Sequence, residues 1–143
     1  DPSPLYVSIQ TAIDALRGWN HNGKRIMMVI TDGSISCNQL SNPVRSGYPD
    51  ANGCSIDWEN PQNIVSLLSQ AQTDPNQPIE SFIIGVPGSD TYDPTGANYP
   101  PYRMRLALSA MAYAGSPSNV PSNCNGRAYT KNGADPTIPC HFD

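Results

Sequence analysis

Residues 25–33 read RIMMVITDG, and this stretch decides the fold that the sequence predicts. The run from Ile26 to Ile30 has no polar alternation, which is typical of a strand that is buried on both faces of a parallel sheet. The Asp32-Gly33 pair ends the strand with a turn signal. We therefore expect residues 25–32 to be a central, fully buried strand.

Helices are predicted on both sides of this strand. Before it, Ser3-Pro4 marks a helix start, Gly18 marks its end, and apolar residues recur at helical spacing. After it, residues 34–60 are predicted as a loop, and Asn60-Pro61 starts a second helix. The apolar stripes of the two helices are Leu5, Ile9, Ile13 and Leu16, and Ile64, Leu67, Leu68 and Ala71.

A second buried strand is predicted over 79–86, followed by a loop over 87–102 and a third helix over 103–114. The order helix, strand, helix, strand, helix predicts an α/β fold with a parallel crossover. Ligands of such sheets bind outside the carboxyl ends of the strands, so we expect a site near Asp32.

Residues 116–143 carry a weak pattern, with short strands predicted only over 127–130 and 137–142. We therefore divide the chain into an α/β core over 1–115 and a loop-rich tail over 116–143 that closes on the core.

Composition narrows the class of protein. The 143 residues carry 8 basic and 12 acidic side chains, which gives no basic footprint for nucleic acid. The longest apolar run is far shorter than the ~20 residues of a membrane span. No nucleophile motif such as G-x-S-x-G is present, so we expect no enzymatic activity.

Four cysteines lie in loop-rich stretches, at spacings of 17, 70 and 16 residues. These spacings lack the close pairs of a zinc site, so disulfides in an extracytoplasmic protein are favoured. Four cysteines allow three connectivities. We expect the local one, Cys37 with Cys54 and Cys124 with Cys140.

Asp32 is a candidate ligand for a hard cation, because a carboxylate at the end of a buried strand suits Mg²⁺ or Ca²⁺. The hydroxyl of Ser3 would reach the same sheet edge if the first helix packs back along the strand. The competing interpretation is that Asp32 is an ordinary turn residue.

The order of these segments resembles the von Willebrand factor type A (vWA) domain. The similarity covers residues 1–115: the helix start at Ser3-Pro4-Leu5, the strand ending in Thr31-Asp32-Gly33, the strand Ser81-Phe82-Ile83-Ile84-Gly85-Val86, and the late helix Leu108 to Gly115. The resemblance implies a doubly wound, mostly parallel sheet flanked by helices.

The resemblance also implies a metal-ion-dependent adhesion site, in which an Asp-x-Ser-x-Ser stretch, a Thr and an Asp hold Mg²⁺ or Ca²⁺. Asp32 matches the Asp, and Ser3 matches the Thr. The Asp-x-Ser-x-Ser strand would lie before residue 1, so the site is incomplete in this chain. We expect a further N-terminal segment or another chain to complete the sheet, and residues 1–143 alone not to be free-standing.

A second register remains, because Asp32-Gly33-Ser34-Ile35-Ser36 itself spells Asp-x-Ser-x-Ser. No amphipathic helix follows this stretch, so Ser34 and Ser36 are second-rank candidates. Tyr92, Tyr99 and Tyr102 of the 87–102 loop either contact a partner or pack on their own loop.

Two functions are consistent with these features. The first is a non-enzymatic binding or adhesion module of an exported or cell-surface protein, with a protein partner and a possible divalent cation. The alternative is a structural subunit or fragment of an extracellular assembly that has no functional metal site.

Overall fold

The computed structural model describes residues 5–31, 61–86, 103–130 and 133–143. Within them the chain forms three helices and two strands in the predicted order. The elements are α1 (Leu5–Gly18), β1 (Arg25–Thr31), α2 (Pro61–Gln72), β2 (Ile79–Gly85) and α3 (Met104–Gly115). The predicted α/β class is confirmed, and Pro61 is the first residue of its helix as its fixed φ predicts.

The two strands form a parallel sheet without a bulge. The register runs from Arg25 opposite Ile79 to Thr31 opposite Gly85, so the two strands begin and end together. Because α2 lies between them in the chain, the strands and α2 form the predicted crossover unit. The doubly wound sheet implied by the vWA resemblance extends beyond these two strands and stays a prediction.

The core lies on one face of this sheet. There the buried side chains of the strands meet apolar side chains from all three helices. Helix α3 is buried over most of its circumference, since it packs against α2 and β2 and also carries the tail. The central members of this core are Ile9, Ile13, Met27, Ile64, Leu68, Ile79, Ile83, Leu108 and Met111.

The opposite face of β1 corrects the sequence prediction that both faces are buried. Ile26, Met28 and Ile30 are 51%, 62% and 64% exposed, whereas the alternate residues Met27 and Val29 are buried. An unbroken apolar run is compatible with burial on both faces of a strand. Burial itself also requires a helix or another segment to pack against each face. Among the described residues, the helices cover one face of β1.

The tail forms no strand over 127–130 or 137–142, which corrects a second prediction. The Arg127 side chain donates to the carbonyl groups of Ser122 and Cys124 and holds its own segment in a turn. In the second segment, the Cys140 N–H is donated to the Ser109 hydroxyl on α3 at 2.9 Å. Strand-like pairing in residues 137–142 is therefore limited to a single residue, Phe142.

Phe142 makes a parallel bridge with Ile84, on the edge of β2 that does not pair with β1. Its N–H donates to the Ile83 carbonyl at 3.0 Å, and its carbonyl accepts from the Gly85 N–H at 2.7 Å. The chain therefore occupies a third strand position, beside β2 and opposite β1.

A disulfide joins Cys124 to Cys140 with a Cα–Cα distance of 5.1 Å. This bond is one of the two predicted local pairs, and it ties both parts of the tail together beneath α3. The other pair, Cys37 with Cys54, lies outside the described residues.

Candidate functional site

The carboxyl edge of the sheet is the edge where the sequence predicts a site. β1 ends at Thr31 and β2 ends at Gly85, directly opposite each other. One residue further, the Val86 N–H donates to the Thr31 carbonyl at 3.0 Å, which ties the two strand ends together. Asp32 is the next residue of the chain after this closed end.

Helix α1 lies along β1, and their lengths match. Arg25, the first residue of β1, donates its side chain to the Leu16 and Trp19 carbonyl groups at the end of α1. The 14 residues of α1 span about 21 Å, and the seven of β1 about 23 Å. If α1 runs straight back along β1 from Arg25, as these lengths allow, its first turn at Leu5 would come level with the end of β1.

The predicted metal ligands themselves lie outside the described residues. This holds for Asp32 and Ser3 and for the second-rank candidates Ser34 and Ser36; the proposed contact residues Tyr92, Tyr99 and Tyr102 lie outside as well. Within the described ranges, no three His, Cys, Asp or Glu side chains are close enough to hold a metal ion. No helix in those ranges is long and apolar enough to cross a bilayer.

The amino edge of the sheet is held by a structural ion pair. Arg17 of α1 contacts Asp74, which follows α2, at 2.8 Å. The same carboxylate accepts the backbone N–H groups of Gln77 and Asn76 at 3.0 and 2.9 Å. These backbone hydrogen bonds, with the Arg17 charge, lower the pKa of Asp74 below its usual 3.8. All the partners of this carboxylate are accounted for within the fold.

A second apolar feature is the open face of the sheet, which we define as the side chains of Ile26, Met28, Ile30 and Phe142. The register places Phe82 beside Met28, and Ile84 between Ile30 and the Phe142 bridge. Phe142 is itself 51% exposed, so the apolar surface crosses the whole sheet. Its charged border is the Lys24–Glu80 pair at the amino end, 3.9 Å apart.

The edge of β1 continues this open face. Within the described ranges β2 is the only strand paired with β1, while the far edge of β2 carries Phe142. Parallel sheets are ordinarily covered on both faces and flanked by further strands. A long apolar edge strand left uncovered is a site for association with another chain.

A third feature, which sequence reasoning missed, is a cluster of ionisable side chains in the tail with a buried histidine at its centre. The His141 side chain is fully buried, and its Nε2 atom lies 2.8 Å from Oδ1 of Asp143. Among the described residues, the Nδ1 atom of the ring has no hydrogen-bond partner. Asp143 also pairs with Arg105 of α3 at 2.8 Å.

The pKa of His141 is lowered below its usual 6.5, first by burial and then by the Arg105 charge, although Asp143 opposes both. The ring has no exposed surface, and the contacts of Asp143 with His141 and Arg105 hold the tail on α3. The one sequence signal for it is the alternation at 141–143, which directs His141 and Asp143 to one side of the chain and Phe142 to the other.

Comparison with known proteins gives no match: no family model, curated protein or solved structure is significantly similar to this chain.

Proposed function

We propose that this chain is a non-enzymatic binding module of the vWA type, part of an exported or cell-surface protein that binds a protein partner at the carboxyl edge of its sheet. The observation that carries the proposal is the joined end of the two strands at Thr31 and Val86, which Asp32 follows directly in the chain. The matched lengths of α1 and β1 support it. This arrangement supports a common position for Asp32 and Ser3.

In this proposal a divalent cation, Mg²⁺ or Ca²⁺, links the module to its partner. A carboxylate from Asp32 and a hydroxyl from Ser3 are hard oxygen ligands of the kind both ions take. Two ligands are too few for tight binding, so the remaining positions belong to water, to a carboxylate of the partner, or to a further segment. The cation would thereby make binding depend on an acidic partner.

The first test is calorimetric titration of the chain with Mg²⁺ and with Ca²⁺. We expect weak binding of one ion per chain, since water fills most of the coordination positions, reversed by EDTA and weakened further, by at least tenfold, in Asp32→Ala. The control is Asp14→Ala, because Asp14 is exposed on α1 and its carboxylate accepts a hydrogen bond from Gln10 of the same helix. An absence of ion binding, or equal binding by Asp32→Ala, contradicts the metal-dependent function.

The open face favours a second candidate function, a structural subunit of an extracellular assembly. Here a sister subunit covers Ile26, Met28 and Ile30 and pairs with the free edge of β1, with no role for a metal. The Cys124–Cys140 disulfide is compatible with such an extracytoplasmic setting.

The two functions differ in their response to EDTA and to a charge on the open face. For the structural subunit, association measured by sedimentation survives EDTA and Asp32→Ala but is lost in Met28→Lys. For the adhesion module, partner binding is lost in EDTA and in Asp32→Ala. If the wild-type chain is monomeric at all concentrations, as Met28→Lys is expected to be, self-assembly through this face is contradicted.

A further inference from the structure

The last four residues of the described tail, Cys140 to Asp143, are held against the fold by three different kinds of contact. The disulfide to Cys124 fixes one end. Backbone hydrogen bonds of Phe142 to Ile83 and Gly85 hold the middle on the edge of β2. The ion pair between Asp143 and Arg105 holds the other end on α3.

The His141 side chain lies inside this arrangement. The charged groups that face it are Asp143, from its own segment, and Arg105, from α3. The Nδ1 atom is buried without a hydrogen-bond partner among the described residues, and Nε2 contacts the Asp143 carboxylate. A protonated ring adds a charge that burial and the Arg105 guanidinium group disfavour and that the Asp143 carboxylate offsets only in part.

We propose that residues 140–143 are an acid-sensitive clamp, in which a neutral His141 permits Phe142 to stay bridged to β2 and a protonated His141 displaces it. Because Phe142 belongs to the open face, release of the clamp removes one side of that apolar surface. The proposal concerns the tail alone, so it stands or falls independently of the metal site and of the partner.

The direction of the pH effect follows from the burial of the ring. The pKa of His141 in the folded chain lies below its value of 6.5 in an unfolded chain. A depressed pKa means that the unfolded or released segment binds the proton more readily. The clamp is therefore fully closed above pH 6.5 and opens as the pH falls through the lower, folded-state pKa.

The test is amide hydrogen exchange by NMR on the 143-residue chain with its disulfides intact, between pH 8 and 5. The readout is the protection factor of the Phe142 and Gly85 amides, corrected for the intrinsic exchange rate. We expect their protection to fall by up to about tenfold per pH unit, the limit for one proton. Amides of the β1–β2 ladder should keep their protection over the same range.

Two variants separate the two histidines of the chain. His141→Gln carries no titrating ring, so the protection of Phe142 and Gly85 should become independent of pH. His21→Gln is the matched control, since His21 contacts Gly23 and Trp19 away from the tail, and it should keep the wild-type pH dependence. Equal pH dependence in His141→Gln and wild type overturns the proposal.

A second measurement keeps the test decisive if His141→Gln does not fold. The His141 ring can be titrated by NMR in the wild type, where its midpoint should coincide with the loss of protection at Phe142. In Asp143→Asn, which removes both the charge that favours the protonated ring and the ion pair with Arg105, both midpoints should shift together by the same amount. Midpoints that do not coincide, or that do not move together, overturn the proposal.

Discussion

Gly115, at the end of α3, decides how closely that helix approaches the sheet. A Cβ atom at this position would lie 2.8 Å from both the Cβ atom and the carbonyl oxygen of Ser81. Ser81 is itself fully buried in β2, so its backbone has no room to move. The predicted helix over 103–114 ends directly before Gly115, and the structure shows that this glycine also permits the close contact between α3 and β2.

We expect Gly115→Ala to lower the free energy of unfolding by about 1–3 kcal/mol, the usual effect of overpacking a close contact. Chemical denaturation of the two chains measures the difference. The matched control is Gly18→Ala at the end of α1, where an added Cβ atom meets nothing within 4 Å and the backbone is free of positive φ. Equal effects of the two substitutions would contradict this explanation.

At the scale of the element, β1 has one face in the core and one face open. The neighbours Met27 and Met28 are chemically identical, yet they are 7% and 62% exposed. Met27 contributes to the helix-covered core, whereas Met28 lies on the open face between Ile26 and Ile30. These two positions therefore allow one substitution to be compared in two environments.

We expect Met27→Ala to lower the free energy of unfolding by about 2–5 kcal/mol, since it removes a buried side chain and leaves a cavity. Met28→Ala should change it by less than about 0.5 kcal/mol, as for most surface substitutions. Urea denaturation at a low chain concentration measures both. A large loss of stability in Met28→Ala would show that this face of β1 is covered.

At the scale of the whole molecule, α3 is the element on which the tail is assembled. Arg103 pairs with Asp135 and Arg105 with Asp143, at 2.9 and 2.8 Å. Between them, the Ser109 hydroxyl donates to the Asn125 carbonyl and accepts the Cys140 N–H. The disulfide then closes a loop of 16 residues whose two ends both contact this helix.

Removing that disulfide, by Cys124→Ala together with Cys140→Ala, should lower the free energy of unfolding by about 3 kcal/mol, the chain-entropy value for a loop of this length. Thermal unfolding of the oxidised wild type and of the variant at pH 7 gives the comparison. Hydrogen exchange at Phe142 should rise in the variant before the β1–β2 ladder opens. An unchanged melting temperature would indicate that the other tail contacts suffice.

The sequence by itself determined the elements, because each depends on a pattern within a few turns of chain. The periodicity of Leu5, Ile9 and Ile13 and the proline at 61 place the helices, and the unbroken run around Val29 places a strand, within about two residues of the observed bounds. The local disulfide between Cys124 and Cys140 was predictable for the same reason. The candidate ligands Asp32 and Ser3 remain predictions from the sequence.

Only the tertiary structure decided which faces are covered and which distant residues meet. Side chains at Ile26 and Met28 are as apolar as those of the core, so the sequence predicts burial that no described element provides. His141 and Arg105 are brought together by the docking of the tail on α3, and no local pattern encodes such a contact. Burial and charge pairing depend on what packs against a residue, and that is a property of the folded chain as a whole.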